Sequence, residues 1–124
     1  MKTDADIGYE ATWGTKVGKD CISLDSKLAR WLGKRLFFLS LYTRSAPGDL
    51  VATLVDDTDE EYFKAISDAN LAWRSDLRHF GEALTKYGNR HKVSNISVIE
   101  EQEMLEEAQA ALRWVAKNLG SLWD

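Results

Sequence analysis

The sequence predicts a mainly α-helical fold, a small bundle of three to four helices with an N-terminal β-hairpin packed on it. Three observations carry this expectation. Two long stretches, Phe63 to Tyr87 and Val98 to Leu122, place apolar residues at three- and four-residue steps. Helix-starting patterns stand ahead of both. Pro47, the only proline, falls outside them.

The first 22 residues read as a hairpin or an arm. Ile7, Tyr9, Ala11 and Trp13 alternate with Gly8, Glu10 and Thr12, the period of a half-buried strand. Gly14 to Lys16 can turn, and Val17 to Ser23 can return. A lone hairpin is marginal in water, so this one is expected to lie on the helices. The alternative is an irregular arm pinned by Tyr9 and Trp13.

The first helix is expected to start near Ser23 or Asp25. Leu28, Trp31, Leu32, Leu36 and Leu39 then form its apolar face, with Lys27, Arg30, Lys34 and Arg35 elsewhere on the circumference. Leu36 to Tyr42 is apolar all round, which suits a central helix or a buried strand. The pattern running in from Leu28 favours helix. Ser45-Ala46-Pro47-Gly48 breaks the chain. Leu50 to Val55 fits either one or two helical turns or a short strand.

Thr58-Asp59-Glu60-Glu61 is a capping-box pattern. Behind it Phe63, Ile66, Asn70, Trp73, Leu77, Phe80, Leu84 and Tyr87 form one unbroken seam. Gly88-Asn89 can supply a left-handed C-terminal cap. Ser97, with Glu100 three residues on, begins the last helix. Its stripe reads Val98, Leu105, Leu112, Leu119 and Leu122, filled in by Gln102, Ala108, Val115 and Ala116. Trp114 lies off that stripe beside Ala110 and Ala111, which suggests a second apolar face. Leu122-Trp123 can fold back as an anchor. With 124 residues and no linker or repeat, residues 1–124 read as a single domain, with 23–124 as the helical part.

Composition bounds the function. The net charge is −4, which argues against non-specific nucleic-acid binding. Through Gly48 the chain is basic and beyond it strongly acidic, so the second half would suit a basic partner. One cysteine, Cys21, allows no intrachain disulfide. No apolar run reaches the ~20 residues of a membrane span. The N-terminus is polar and acidic, unlike a signal peptide, so a cytoplasmic location is expected.

No motif carries recognisable chemistry. Asp57-Thr58-Asp59-Glu60-Glu61 opens like a calcium loop, but Tyr62 stands where the turn needs Gly and Asp68 where Glu is required. Glu100, Glu103 and Glu107 share part of a helix, and Asp76 precedes His79 by three, so together they form the candidate set for a metal-dependent hydrolase. A matching second pair of ligands is missing. Acids in the first turns of a helix are expected without any metal. Lys27, Arg30, Lys34 and Arg35, and a second group of Arg78, Lys86, Arg90, His91 and Lys92, read as solvated faces.

Asn70 is the oddity, a polar residue inside the seam, where such residues can fix register or oligomeric state. The expected function is therefore a helical protein-interaction module, of accessory, inhibitor or immunity type, binding a protein or a second copy. Asn70, Trp73, Trp114 and Trp123 are its candidate interface residues. No metal and no cofactor are expected. The alternative is a hydrolase of helical-bundle type using the carboxylates.

Overall fold

The computed structural model describes residues 3–43, 46–47 and 59–122. The short piece Leu50 to Val55, the capping Thr58 and Trp123 lie outside the described residues.

The described residues are mainly helical and contain no strand. The N-terminal hairpin is replaced by two short helices, α1 (Asp4–Thr12) and α2 (Lys16–Cys21). Local capping overrides the alternating pattern here. Thr3 Oγ1 accepts from the Asp6 backbone N–H at 3.2 Å, and Asp6 Oδ2 accepts from the Thr3 N–H at 3.1 Å. That is a capping box written with Asp in place of Glu. Thr15 Oγ1 does the same for Gly18 N–H at 3.0 Å. A helix satisfies its backbone within itself, whereas two strands with no third neighbour cannot.

Helix α3 (Leu24–Tyr42) follows, so Leu36 to Tyr42 is helix. Ser23, its cap, is left-handed at φ 55° and makes no side-chain cap bond. Helix α4 (Asp59–Gly88) comes next and α5 (Val98–Asn118) last, with single 3-10 turns at Arg90–Lys92 and Leu119–Ser121. Ser97 Oγ accepts from Glu100 N–H at 3.1 Å, the expected start of α5. The expected left-handed cap at Gly88-Asn89 is not used. No glycine among the described residues has positive φ, and Asn89 sits at φ −102°. The chain tightens into the 3-10 turn instead, a common helix ending.

Helix α4 is the centre, with α3 on one side and α5 on the other. Both run antiparallel to it. Gly33 of α3 meets Gly81 and Thr85, while Arg30, three residues earlier, meets Gly88. Trp73 packs against Trp114, whereas Arg90, just past the other end of α4, reaches Glu101.

The faces that pack are not the ones the large side chains suggest. Helix α3 buries Ala29, Gly33, Leu36 and Ser40, leaving Leu28 and Trp31 exposed. Helix α5 buries Met104, Ala108 and Ala111, while Val98 and Leu119 of the expected stripe are 85% and 69% exposed. On α4, Trp73, Leu77 and Leu84 are buried as expected, but Phe63 is exposed, and Ala65, Ala69, Gly81 and Gly88 are buried as well. Small residues let helix axes approach closely, so dispersion contacts come from backbone as well as side chains. A Cβ added at Gly81 would stand 2.9 Å from both Gly33 O and Phe37 N. Gly88 fits the same contact, since its added Cβ would lie 2.8 Å from Arg30 N.

Against α5 the core is aromatic. Trp73 and Trp114 have centroids 5.2 Å apart, and Phe80 lies 5.0 Å from Trp114. Helix ends are tied by polar side chains. Arg30 donates to Gly88 O at 2.7 Å and Arg74 to Thr43 O at 2.7 Å, placing cations on the last carbonyls of α4 and on the residue that ends α3.

Candidate functional site

The candidate interface residues lie in different places. Trp73 is buried, and Trp114 is half-buried against it and Phe80. Both therefore serve the contact between α4 and α5. Half-buried Asn70 has a partner within the chain. Its Oδ1 accepts from the Ala46 backbone N–H at 2.7 Å, holding the segment after α3 on α4. A polar atom in the seam is thus explained by an orphan N–H that needs an acceptor.

The carboxylate candidates stay apart. Glu100, Glu103 and Glu107 are exposed on α5, and Asp76 and His79 are exposed on α4. Among the described residues, no three His, Cys, Asp or Glu side chains come together to hold a metal. Partial desolvation raises the Asp76 carboxyl above its ordinary range, and the nearby His79 opposes this. His79 packs edge-on against Phe80 at 4.9 Å. Cys21 is exposed at the end of α2.

Arg90, which reads from the sequence as one of the solvated bases, acts as a staple. It donates to Asp25 Oδ2 at 2.8 Å, to Ser26 Oγ at 3.1 Å and to Tyr87 O at 3.0 Å, and its Nε lies 3.4 Å from Glu101. Its guanidinium lies over the Tyr87 ring at 4.0 Å, and Tyr87 donates to Asp25 at 3.1 Å. One side chain thus joins the start of α3, the end of α4 and the start of α5. The Ser26 backbone N–H and then Arg90 hold the Asp25 carboxyl below its ordinary range.

A depressed folded-state value means stabilisation that is present above the ordinary aspartate range and lost as pH falls through it. Thermal melts should therefore lose stability below about pH 4, and Asp25→Asn should lie lower at neutral pH and remove part of that loss. Asp25 is largely exposed, so the neutral-pH difference should stay under about 1 kcal/mol. Equal pH slopes for the two proteins would remove Asp25 from the staple.

Beside this staple runs a groove of about 240 Å³ between α3 and α5, lined among others by Asp25, Leu28, Tyr87, Leu105 and Leu112. It is smaller than usual small-molecule sites, which run to several hundred Å³. A cleft of about 430 Å³ on the other side of α3 is lined by Lys34, Phe37, Glu82, Thr85 and Lys86. Of these, Glu82 is already paired with Arg78 at 3.1 Å.

The most distinctive surface is the outer face of α3. Leu24, Leu28, Trp31, Phe38 and Tyr42 recur at steps of 4, 3, 7 and 4, with Arg35 filling the gap. This row lies on the side of α3 turned away from Ala29, Gly33, Leu36 and Ser40. Trp31, Phe38 and Tyr42 are 55%, 59% and 62% exposed. Arg35 lies over the Trp31 ring at 4.1 Å, and Phe38 touches Tyr42 with centroids 4.6 Å apart. Of the nineteen exposed large hydrophobic residues among those described, eleven lie between Ile7 and Tyr42, so the apolar surface is concentrated on α1 to α3. Sequence reasoning missed this face because it assigned Leu28 and Trp31 to the core. The signal was present in the second, small-residue row at four- and three-residue steps.

Among the described residues, no helix is long and apolar enough to cross a membrane. The chain matches no protein-family model, no curated protein and no solved structure.

Proposed function

We propose that this chain is a helical protein-interaction module, a binding rather than a catalytic protein, and that its binding face is the outer row of α3. A single-domain organisation and a cytoplasmic location belong to the same reading. The observation that carries it is the row of Leu24, Leu28, Trp31, Phe38 and Tyr42, bridged by Arg35 and left exposed by the other described residues. Exposed apolar patches of this kind mark interaction surfaces, and aromatic residues are the usual energetic anchors. The flanking charges set the partner's chemistry. Lys27 and Lys34 border the row and Arg35 stands within it, so the matching surface is apolar and acidic rather than the basic one suggested by net charge alone. An accessory, inhibitor or immunity-type role fits such a face.

The test is site-specific photo-crosslinking in the expressing cell. A photoreactive phenylalanine at Phe38 should give a covalent protein adduct of defined mass, and the same group at exposed Lys117 should not. Equal background from both positions would end this reading.

A further inference from the structure

We infer that the cleft of about 430 Å³ between α3 and α4 is a binding site for a small amphiphilic carboxylate, an apolar body with one anionic head. This site goes beyond the protein-binding face. It is lined by Lys34, Phe37, Glu82, Thr85 and Lys86, none of which belongs to the outer row of α3.

The cleft follows from the way the two helices touch. Gly33 and Gly81 bring the backbones together, and Thr85 Oγ1 stands where a side chain at Gly33 would go. Small residues along the contact line leave the flank beside it unfilled. Lys34 and Phe37, one turn apart on α3, form one wall. Glu82, Thr85 and Lys86 form the other from one turn of α4. Phe37 is half-buried, with the Arg78 guanidinium over its ring at 5.7 Å. The volume falls within the range of ordinary small-molecule sites, which the groove beside Arg90 does not reach.

The walls are almost wholly hydrocarbon, although Lys34, Glu82 and Lys86 are among the lining residues. The stems of the two lysines therefore line the cleft, and their ammonium groups stand at its rim. The chain does not balance this charge. Glu82 is taken by Arg78 at 3.1 Å, whereas neither Lys34 nor Lys86 has an ion-pair or hydrogen-bond partner among the described residues. An apolar tail laid along the walls, with a negative head between two unpaired ammonium groups, is the matching chemistry.

The kind of head follows from the backbone. All five lining residues lie within α3 and α4, where backbone N–H groups bond inside the helix. They build no N–H cradle of the sort that holds phosphate, and lysine offers a point charge in place of the arginine fork. A singly charged carboxylate needs neither.

The experiment is an NMR titration of the full chain with decanoate at low salt, read at the amides of Lys34, Phe37 and Lys86 and at the Thr85 methyl. A ligand of this size on an open cleft should give shifts that saturate with a Kd of roughly 0.1–1 mM. Lys34→Gln with Lys86→Gln, both on exposed positions, should keep the amide spectrum and weaken binding at least about fivefold. Decyltrimethylammonium, with the same tail and the opposite charge, should give no saturating shift in the cleft, and neither should acetate, which has no tail. Absence of saturation by decanoate up to about 5 mM overturns the site. So does equal affinity for the cation, or an unchanged Kd in the double variant. Shifts centred on Leu28, Trp31 and Phe38 would put the tail on the outer row and overturn it too. Crosslinking at Phe38 reports on the outer row alone, so the failure of either reading is distinguishable from the failure of the other.

Discussion

Replacing Trp73 with Ala should cost about 3–5 kcal/mol, the largest loss expected from any single substitution in this chain. Trp73 is buried, and its ring lies against Trp114, which in turn stacks on Phe80. Removing the indole deletes the middle of the contact between α4 and α5. The surrounding helices cannot collapse into the space, because close backbone approach to α3 fixes the other side of α4. Domains of this size are stable by only about 5–15 kcal/mol, so the variant should unfold at a much lower urea midpoint. Trp73→Phe should retain more of the stability. Trp31→Ala, made on the exposed face, should cost less than about 1 kcal/mol, since little more than its contact with Arg35 is lost. Equal midpoints for Trp31→Ala and Trp73→Ala would contradict the packing described.

The second large effect has a sign opposite to helix propensity. Gly→Ala in a helix interior usually stabilises by about 0.5–1 kcal/mol. Gly81→Ala should instead destabilise by about 1–3 kcal/mol, lowering the melting temperature by roughly 5–15 °C. Its new methyl group would meet backbone atoms of Gly33 and Phe37 at 2.9 Å, and backbone cannot rotate away as a side chain can. Gly33→Ala meets Gly81 O and Thr85 N at 2.8 Å and should behave alike. Gly8→Ala is the control. Nothing lies within 4 Å of the added atom, so helix α1 should gain helicity at no cost to the core. A neutral or stabilising Gly81→Ala would mean that α3 and α4 sit further apart than described.

The long helices were legible because their cues are local. Ser97 caps α5 from its own hydroxyl, and Trp73, Leu77 and Leu84 fall where a 3.6-residue period puts them. The N-terminal hairpin was misread for a related reason. Ile7 to Trp13 alternates over too few residues to outweigh the caps at Thr3 and Thr15, and a cap written Thr-x-x-Asp is easily overlooked. The outer row of α3 is not legible from side-chain size. Leu28 and Trp31 carry the stronger apolar signal, yet the small side chains of Ala29 and Gly33 permit the closer approach. Arg90 reads from the sequence as one of the solvated bases, since its partners Asp25 and Ser26 stand more than sixty residues away in the chain.

The helices α3, α4 and α5 are therefore set by the order of residues, through turn-length periodicity and capping groups that act within four positions. Which side of each helix faces its neighbour was settled by assembly. Helix α3 has two rows at helical spacing, one small and one large, and either satisfies the pattern. The small row wins because Gly33 and Gly81 bring two backbones into contact, which no arrangement of the bulky row allows. That choice leaves Trp31, Phe38 and Tyr42 facing outward. The proposed binding face is a product of how α3 and α4 pack rather than of any motif in the chain.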